Sequence, residues 1–117
     1  MNERVLKYLF DIKQSLDEID SFLIGREKRF ESYKKDLLLK RAIERNLEII
    51  GEAVNKIVAL APDFPIHNAR KIIGLRNHIV HAYDNISDEN IWGIVINHLP
   101  RLREDIEEQL NNSSSKG

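Results

Sequence analysis

Apolar residues along this chain recur at helical intervals almost from the first residue. Val5, Leu9, Ile12, Leu16, Ile19 and Leu23 alternate spacings of four and three, which places them on one stripe of a helix over residues 3 to 23. Gly25 follows as a C-terminal stop. A second and longer helix is expected over residues 30 to 60, carrying Leu39, Ala42, Ile43, Leu47, Ile50, Ala53, Val54, Ile57 and Val58. Those positions wrap more than one stripe, so this helix should be central. The run Ala61-Pro62-Asp63-Phe64-Pro65 ends it, because a proline inside a helix removes a hydrogen bond and clashes with the preceding turn.

A third helix should begin near Ile66, with Ile72, Leu75, Ile79 and Ala82 on one face, and end near Tyr83 or Asp84. Ser87 can cap a fourth, with Asp88 and Glu89 well placed in its first turn. Ile91, Ile94, Val95, Leu99, Leu102 and Ile106 then run to about Leu110, with a kink expected at Pro100. Strand periodicity is hard to find. The expected fold is all-α: an up-down four-helix bundle in one domain over residues 1–110, followed by a disordered polar tail over 111–117.

Composition narrows the function classes. At 117 residues the chain can build one helical core and could need a partner chain to complete it. It has no cysteine, which excludes disulfides and thiolate metal sites. No apolar run approaches the roughly 20 residues of a membrane span, and the N-terminus reads as an amphipathic helix rather than a signal peptide, so a cytoplasmic location is expected. The net charge of −1 argues against a protein that grips nucleic acid over its whole surface. Charge is nonetheless uneven: residues 26–45 hold eight Lys/Arg and four Asp/Glu, whereas residues 84–117 hold three and seven.

Chemistry concentrates in Arg76-Asn77-His78-Ile79-Val80-His81-Ala82-Tyr83. Arginine offers a permanent cation with forked donors suited to phosphate, and histidine exchanges protons near neutral pH. This set could cleave RNA without a metal. His81 would take the proton of the 2′-hydroxyl, Arg76 would stabilise charge on the phosphate, and Asn77 would orient the phosphate or the histidine. The products would be a 2′,3′-cyclic phosphate and a 5′-hydroxyl. On an ideal helix Asn77 and His81 are neighbours, but Arg76 and His81 diverge by about 140°. A second copy across a two-fold axis would close that gap, so an active homodimer is expected.

His78 could contact phosphate or serve only the surface. Glu52 could pair with a nearby basic residue, or could position Arg76 across a dimer interface. A metal site from His81, His78 and Asp84 lacks a third ligand in a fixed position, so no metal or other cofactor is expected.

Arg76-x4-His81-x-Tyr83, with Asn77 after the arginine, resembles the signature of HepT toxins of the HEPN superfamily. Ile72-Ile73-Gly74-Leu75, the block Arg45-Asn46-Leu47-Glu48-Ile49-Ile50-Gly51-Glu52-Ala53, Trp92 and Leu99-Pro100 resemble the same family, extending the likeness over residues 3–110. The resemblance implies a dimeric HEPN-like bundle with its motif helices facing a shared cleft. It implies metal-independent RNA cleavage by Arg76 and His81 with Asn77 in support. It further implies a toxin whose partner is an MntA-type nucleotidyltransferase antitoxin, which attaches AMP to the motif tyrosine, here Tyr83. A different class of function stays open from the residues themselves: a non-catalytic module that binds RNA or nucleotide and docks the nucleotidyltransferase.

Overall fold

A computed structural model describes residues 2–80 and 87–115, and among these no strand occurs. Helix α1 spans Glu3–Leu23, opened by Asn2, whose side chain accepts from the Arg4 amide at 2.7 Å. Its six stripe residues, Val5 to Leu23, are all buried. Gly25 follows with φ 78°, the left-handed conformation that lets the chain turn away.

The segment expected as one helix is two. Short α2, Phe30–Lys35, stops at Asp36, and α3 runs Leu37–Leu60. Asp36 has the extended backbone of a cap, and its carboxylate accepts from the Leu39 amide at 3.0 Å while pairing with Arg26. An aspartate that can satisfy a free helix N–H favours a fresh start over continuation. Helix α2 is anchored by Tyr33, which is almost fully buried and stacks on Trp92 at 5.1 Å.

Helix α4 spans Ala69–Val80, starting three residues later than the sequence pattern suggested. Asn68, with φ 59°, turns the chain into it. The preceding residue is latched to the last helix: Asp105, buried, accepts from the His67 amide at 2.9 Å and lies 3.0 Å from His67 Nδ1. The final rod contains α5 (Asp88–Gly93), a π turn (Ile94–His98) and α6 (Leu99–Ser115). Ser87 caps it, accepting from the Asn90 amide at 3.2 Å. Pro100 is accommodated by the wide turn, in which the Leu99 amide donates to the Ile94 carbonyl, so the helix absorbs the proline with an extra residue in one turn. The backbone stays helical through Ser115, five residues past Leu110, where the polar composition suggested a disordered tail.

Helix α3 packs against both α1 and α4, and α1 packs against α6. Arg103 fastens the last contact by donating to Asp17 at 2.9 Å and Asp20 at 2.7 Å, which holds the Asp17 carboxyl below its ordinary range. Lys40 on α3 reaches Asp88 at 3.1 Å. The shared core contains Leu9, Ile12, Ile43, Ile50, Ile57, Leu102 and Ile106, each at most 1% exposed. Burying such a side chain contributes roughly 1.5–3 kcal/mol. The expected helical bundle is present, but α4 and the last rod are not among the principal packing pairs.

The tightest helix contact lies at Gly51. A Cβ there would fall 2.2 Å from Arg76 Cβ and 3.3 Å from the Ile72 carbonyl. Alanine ordinarily stabilises a helix interior relative to glycine by about 0.5–1 kcal/mol. Gly51→Ala should instead destabilise by about 1–3 kcal/mol through overpacking. Gly93→Ala, where a Cβ meets nothing within 4 Å among the described residues, should stabilise. Urea midpoints of the two variants should therefore move in opposite directions; a gain at both positions would show that α3 and α4 do not meet here.

The Tyr33 hydroxyl is buried with no hydrogen-bond partner among the described residues, and burial pushes its pKa far above the ordinary range. The unfolded chain ionises this phenol from about pH 10, while the folded chain resists. The Tyr33 contribution to stability is therefore intact below that pH and is lost as pH rises. Tyr33→Phe should match or exceed wild-type stability near neutrality and show a shallower alkaline decline in denaturant titrations. A steeper decline in the variant would contradict the burial of the hydroxyl.

Candidate functional site

Gly51 lets the backbone of α4 sit close on α3, and this contact fixes where Arg76 leaves its helix. The guanidinium then turns along α3 and donates to Glu52 at 2.9 Å. A second arm donates to the Asn77 side-chain oxygen, also at 2.9 Å. The arginine is 26% exposed at its side chain, so it is held on two sides yet open to a ligand. The pairing anticipated across a dimer interface is made within one chain.

Around Arg76 lies a cleft of about 390 Å³ between α1, α3 and α4. Lys7, Tyr8 and Asp11 come from α1, and Arg45, Glu48 and Glu52 from α3. Its charges are matched in place: Lys7 with Asp11 at 2.9 Å, Arg45 with Glu48 at 3.3 Å, and Arg76 with Glu52. Lys56 adds a looser contact to Glu52 at 3.8 Å. Half-solvated pairs of this kind contribute about 0–1 kcal/mol each. A phosphate can therefore displace a carboxylate from Arg76 at small cost.

The other members of the motif are distributed differently. Asn77 is exposed beside Arg76, and His78 is exposed on another face of α4. Two steps of about 100° separate Arg76 from His78, and His78 lines a separate groove shared with α5 and the π turn. One copy of α4 thus presents Arg76 and His78 to different spaces. His81 and Tyr83 lie outside the described residues, as does Asp84. No cluster of three or more metal-ligating side chains occurs among the described residues. No helix is long and apolar enough to cross a membrane among those residues.

Two polar groupings, one at the cleft and one at the start of α4, were not assigned from sequence. Lys7 and Asp11 were visible as an i,i+4 pair on the polar face of α1, but nothing local shows that this face meets Arg76. His67 is the second. It forms a polar cluster with Asp105 and with Arg101, whose guanidinium lies 3.0 Å from His67 Nε2. Asp105, buried within the apolar pattern of the last helix, was the available signal.

Comparison with known proteins agrees with this architecture. Residues 12–109 match the family described as Ribonuclease HepT-like. A Methanocaldococcus jannaschii relative is 33% identical over 105 residues, covering 89% of this chain and 85% of its own. One from Caldanaerobacter subterraneus subsp. tengcongensis is 36% identical over 95 residues, covering 76% and 82%. A Thermococcus cleftensis relative is 33% identical over 100 residues, covering 82% and 86%. The first two carry provisional RNase names and the third a provisional ribonuclease HepT name. No solved structure matches the chain.

The support given to Arg76 can be measured without any substrate. Glu52→Ala should leave the fold intact and cost less than about 1 kcal/mol. It should also lower the NMR order parameter of the Arg76 side chain. An unchanged order parameter would mean that Asn77 and the helix contact hold the guanidinium unaided.

Proposed function

The chain belongs to the HepT-like ribonucleases, and on that premise we propose that it is a metal-independent endoribonuclease toxin working as a homodimer. The observation that carries the reading is the seating of Arg76, held by Glu52 and Asn77 at the edge of a charged cleft. A guanidinium already oriented needs little reorganisation when charge develops on a phosphate, which is where electrostatic catalysis gains most.

In the proposed reaction His81 removes the 2′-hydroxyl proton, and the freed oxygen attacks the adjacent phosphorus. Negative charge rises on the non-bridging oxygens, where Arg76 donates in place of its contact to Glu52. The bond to the 5′-oxygen breaks, and that oxygen takes up a proton. The products are a 2′,3′-cyclic phosphate and a 5′-hydroxyl. Asn77 keeps the guanidinium in plane, and Glu52 is its positioning residue. DNA lacks the attacking hydroxyl and is not a substrate.

Regulation follows from the position of Tyr83, two residues beyond His81. Transfer of AMP from ATP to its hydroxyl by an MntA-type nucleotidyltransferase antitoxin would add an anion two residues from His81 and repel RNA phosphate. The exposed Asn77 and Arg76 surface equally suits a second reading, in which the chain binds RNA or nucleotide without cutting.

Unmodified protein incubated with total RNA in excess EDTA should cut it and leave cyclic-phosphate ends. His81→Ala should reduce the rate by about 10²–10⁴-fold, and Arg76→Ala by about 10²–10³-fold, with both variants still folded. RNA binding without cleavage by the unmodified dimer would overturn the ribonuclease reading in favour of the binding module.

A further inference from the structure

Between α4 and the last rod, which are not among the principal packing pairs of the described residues, lies a groove of about 790 Å³. Leu75 and Ile94, each 9% exposed, give it an apolar base. Lys71 and His78 border it from α4, and Ser87, Glu89, Asn90, Asn97 and His98 from the opposite rod, so that Lys71 and Glu89 are its only charged side chains among the described residues besides the histidines.

Two glycines lie along this groove, Gly74 on α4 and Gly93 on the opposite helix. A Cβ at either would meet nothing within 4 Å among the described residues, and neither has positive φ. Glycine inside a helix is unfavourable compared with alanine, and here neither turn geometry nor close packing among the described residues accounts for it. Their common consequence is a wider groove. The π turn contributes to the same space through Ile94, Asn97 and His98, and such turns often accompany functional sites.

We infer that this groove is a base-binding subsite for single-stranded RNA, taking a nucleotide that flanks the scissile phosphate. The inference rests on the ribonuclease reading and supplies it with a source of sequence preference. The apolar base suits the face of a nucleobase. Asparagine carries both a donor and an acceptor and can match a base edge, which single-stranded RNA leaves accessible. Lys71 supplies a cation for the adjoining backbone. His78, two residues after Arg76, ties the groove to the motif helix, while its different face assigns the bound base to a neighbouring nucleotide rather than to the cleaved position.

The test compares cleavage of a randomised RNA pool by wild type, Gly93→Leu and Asn97→Ala, after circular dichroism confirms folding. Wild type should prefer certain bases at one flanking position, and both variants should flatten that preference by at least about fivefold, the scale of a lost hydrogen bond. Asn97 is exposed, so its variant carries the test if Gly93→Leu does not fold. A binding arm uses single-stranded oligonucleotides with the His81→Ala protein. Adding Gly93→Leu or Asn97→Ala there should weaken binding by about fivefold or more.

Binding lost through the groove substitutions, with no cutting by the parent protein, would keep the subsite and remove the ribonuclease reading. Cutting with an unaltered preference and unaltered oligonucleotide binding would do the reverse. Conversion of a dimer to a monomer by Gly93→Leu would overturn the subsite, identifying the groove as a surface between copies. Absence of both binding and cutting in the parent protein would overturn both assignments.

Discussion

The close contact of α4 on α3 at Gly51 is the constraint from which the site follows. With 2.2 Å between a hypothetical Cβ and Arg76 Cβ, a residue with any side chain at position 51 would push the helices apart. The same contact places the arginine beside Glu52, the next residue on α3, and lets Asn77 take its other arm. Packing and chemistry are thus joined through two adjacent residues of one helix. The buried stripe Ile43, Ile50, Ile57 supplies the stability that keeps this contact closed.

Around that contact the molecule divides its polar chemistry between two spaces. On one side of α4, the cleft pairs its cations with carboxylates within reach, so Arg76 is oriented but not strongly occupied. On the other, His78 faces a wall of Asn90, Asn97, Ser87 and a single carboxylate, Glu89, beside the π turn. The first arrangement suits a phosphate and the second a base. Family membership gives the ribonuclease class, and α4 presents Arg76 and His78 to these two different spaces.

Much of the fold was legible in the periodicity because burial selects one residue in every three or four. The stripes of α1 and the last rod, the caps Gly25 and Ser87, and the stop after Leu60 all follow from local rules. The division at Asp36 was missed because an apolar pattern continues through it, and only the capping bond to Leu39 decides the break. Pro100 signalled a disturbance, but its form as a π turn depends on how the whole rod packs. At the site, Arg76 and Asn77 stood out by residue type, and the pairing of Glu52 with Arg76 was one of two alternatives, expected across an interface rather than within one chain. Lys7, Asp11 and the His67–Asp105 latch were not legible, because they join segments 38 or more residues apart through tertiary contacts.

We propose that, in the homodimer, Arg76 seated on one copy serves the His81 supplied by the other. Mixing Arg76→Ala protein with His81→Ala protein tests it most directly, provided subunit exchange is verified by native mass spectrometry. In a shared cleft the mixed dimer regains one site with both groups intact, so two inactive preparations should together recover RNA cleavage. Verified exchange with no recovered cleavage, beside an active wild-type dimer, would contradict the account and place both groups within a single chain.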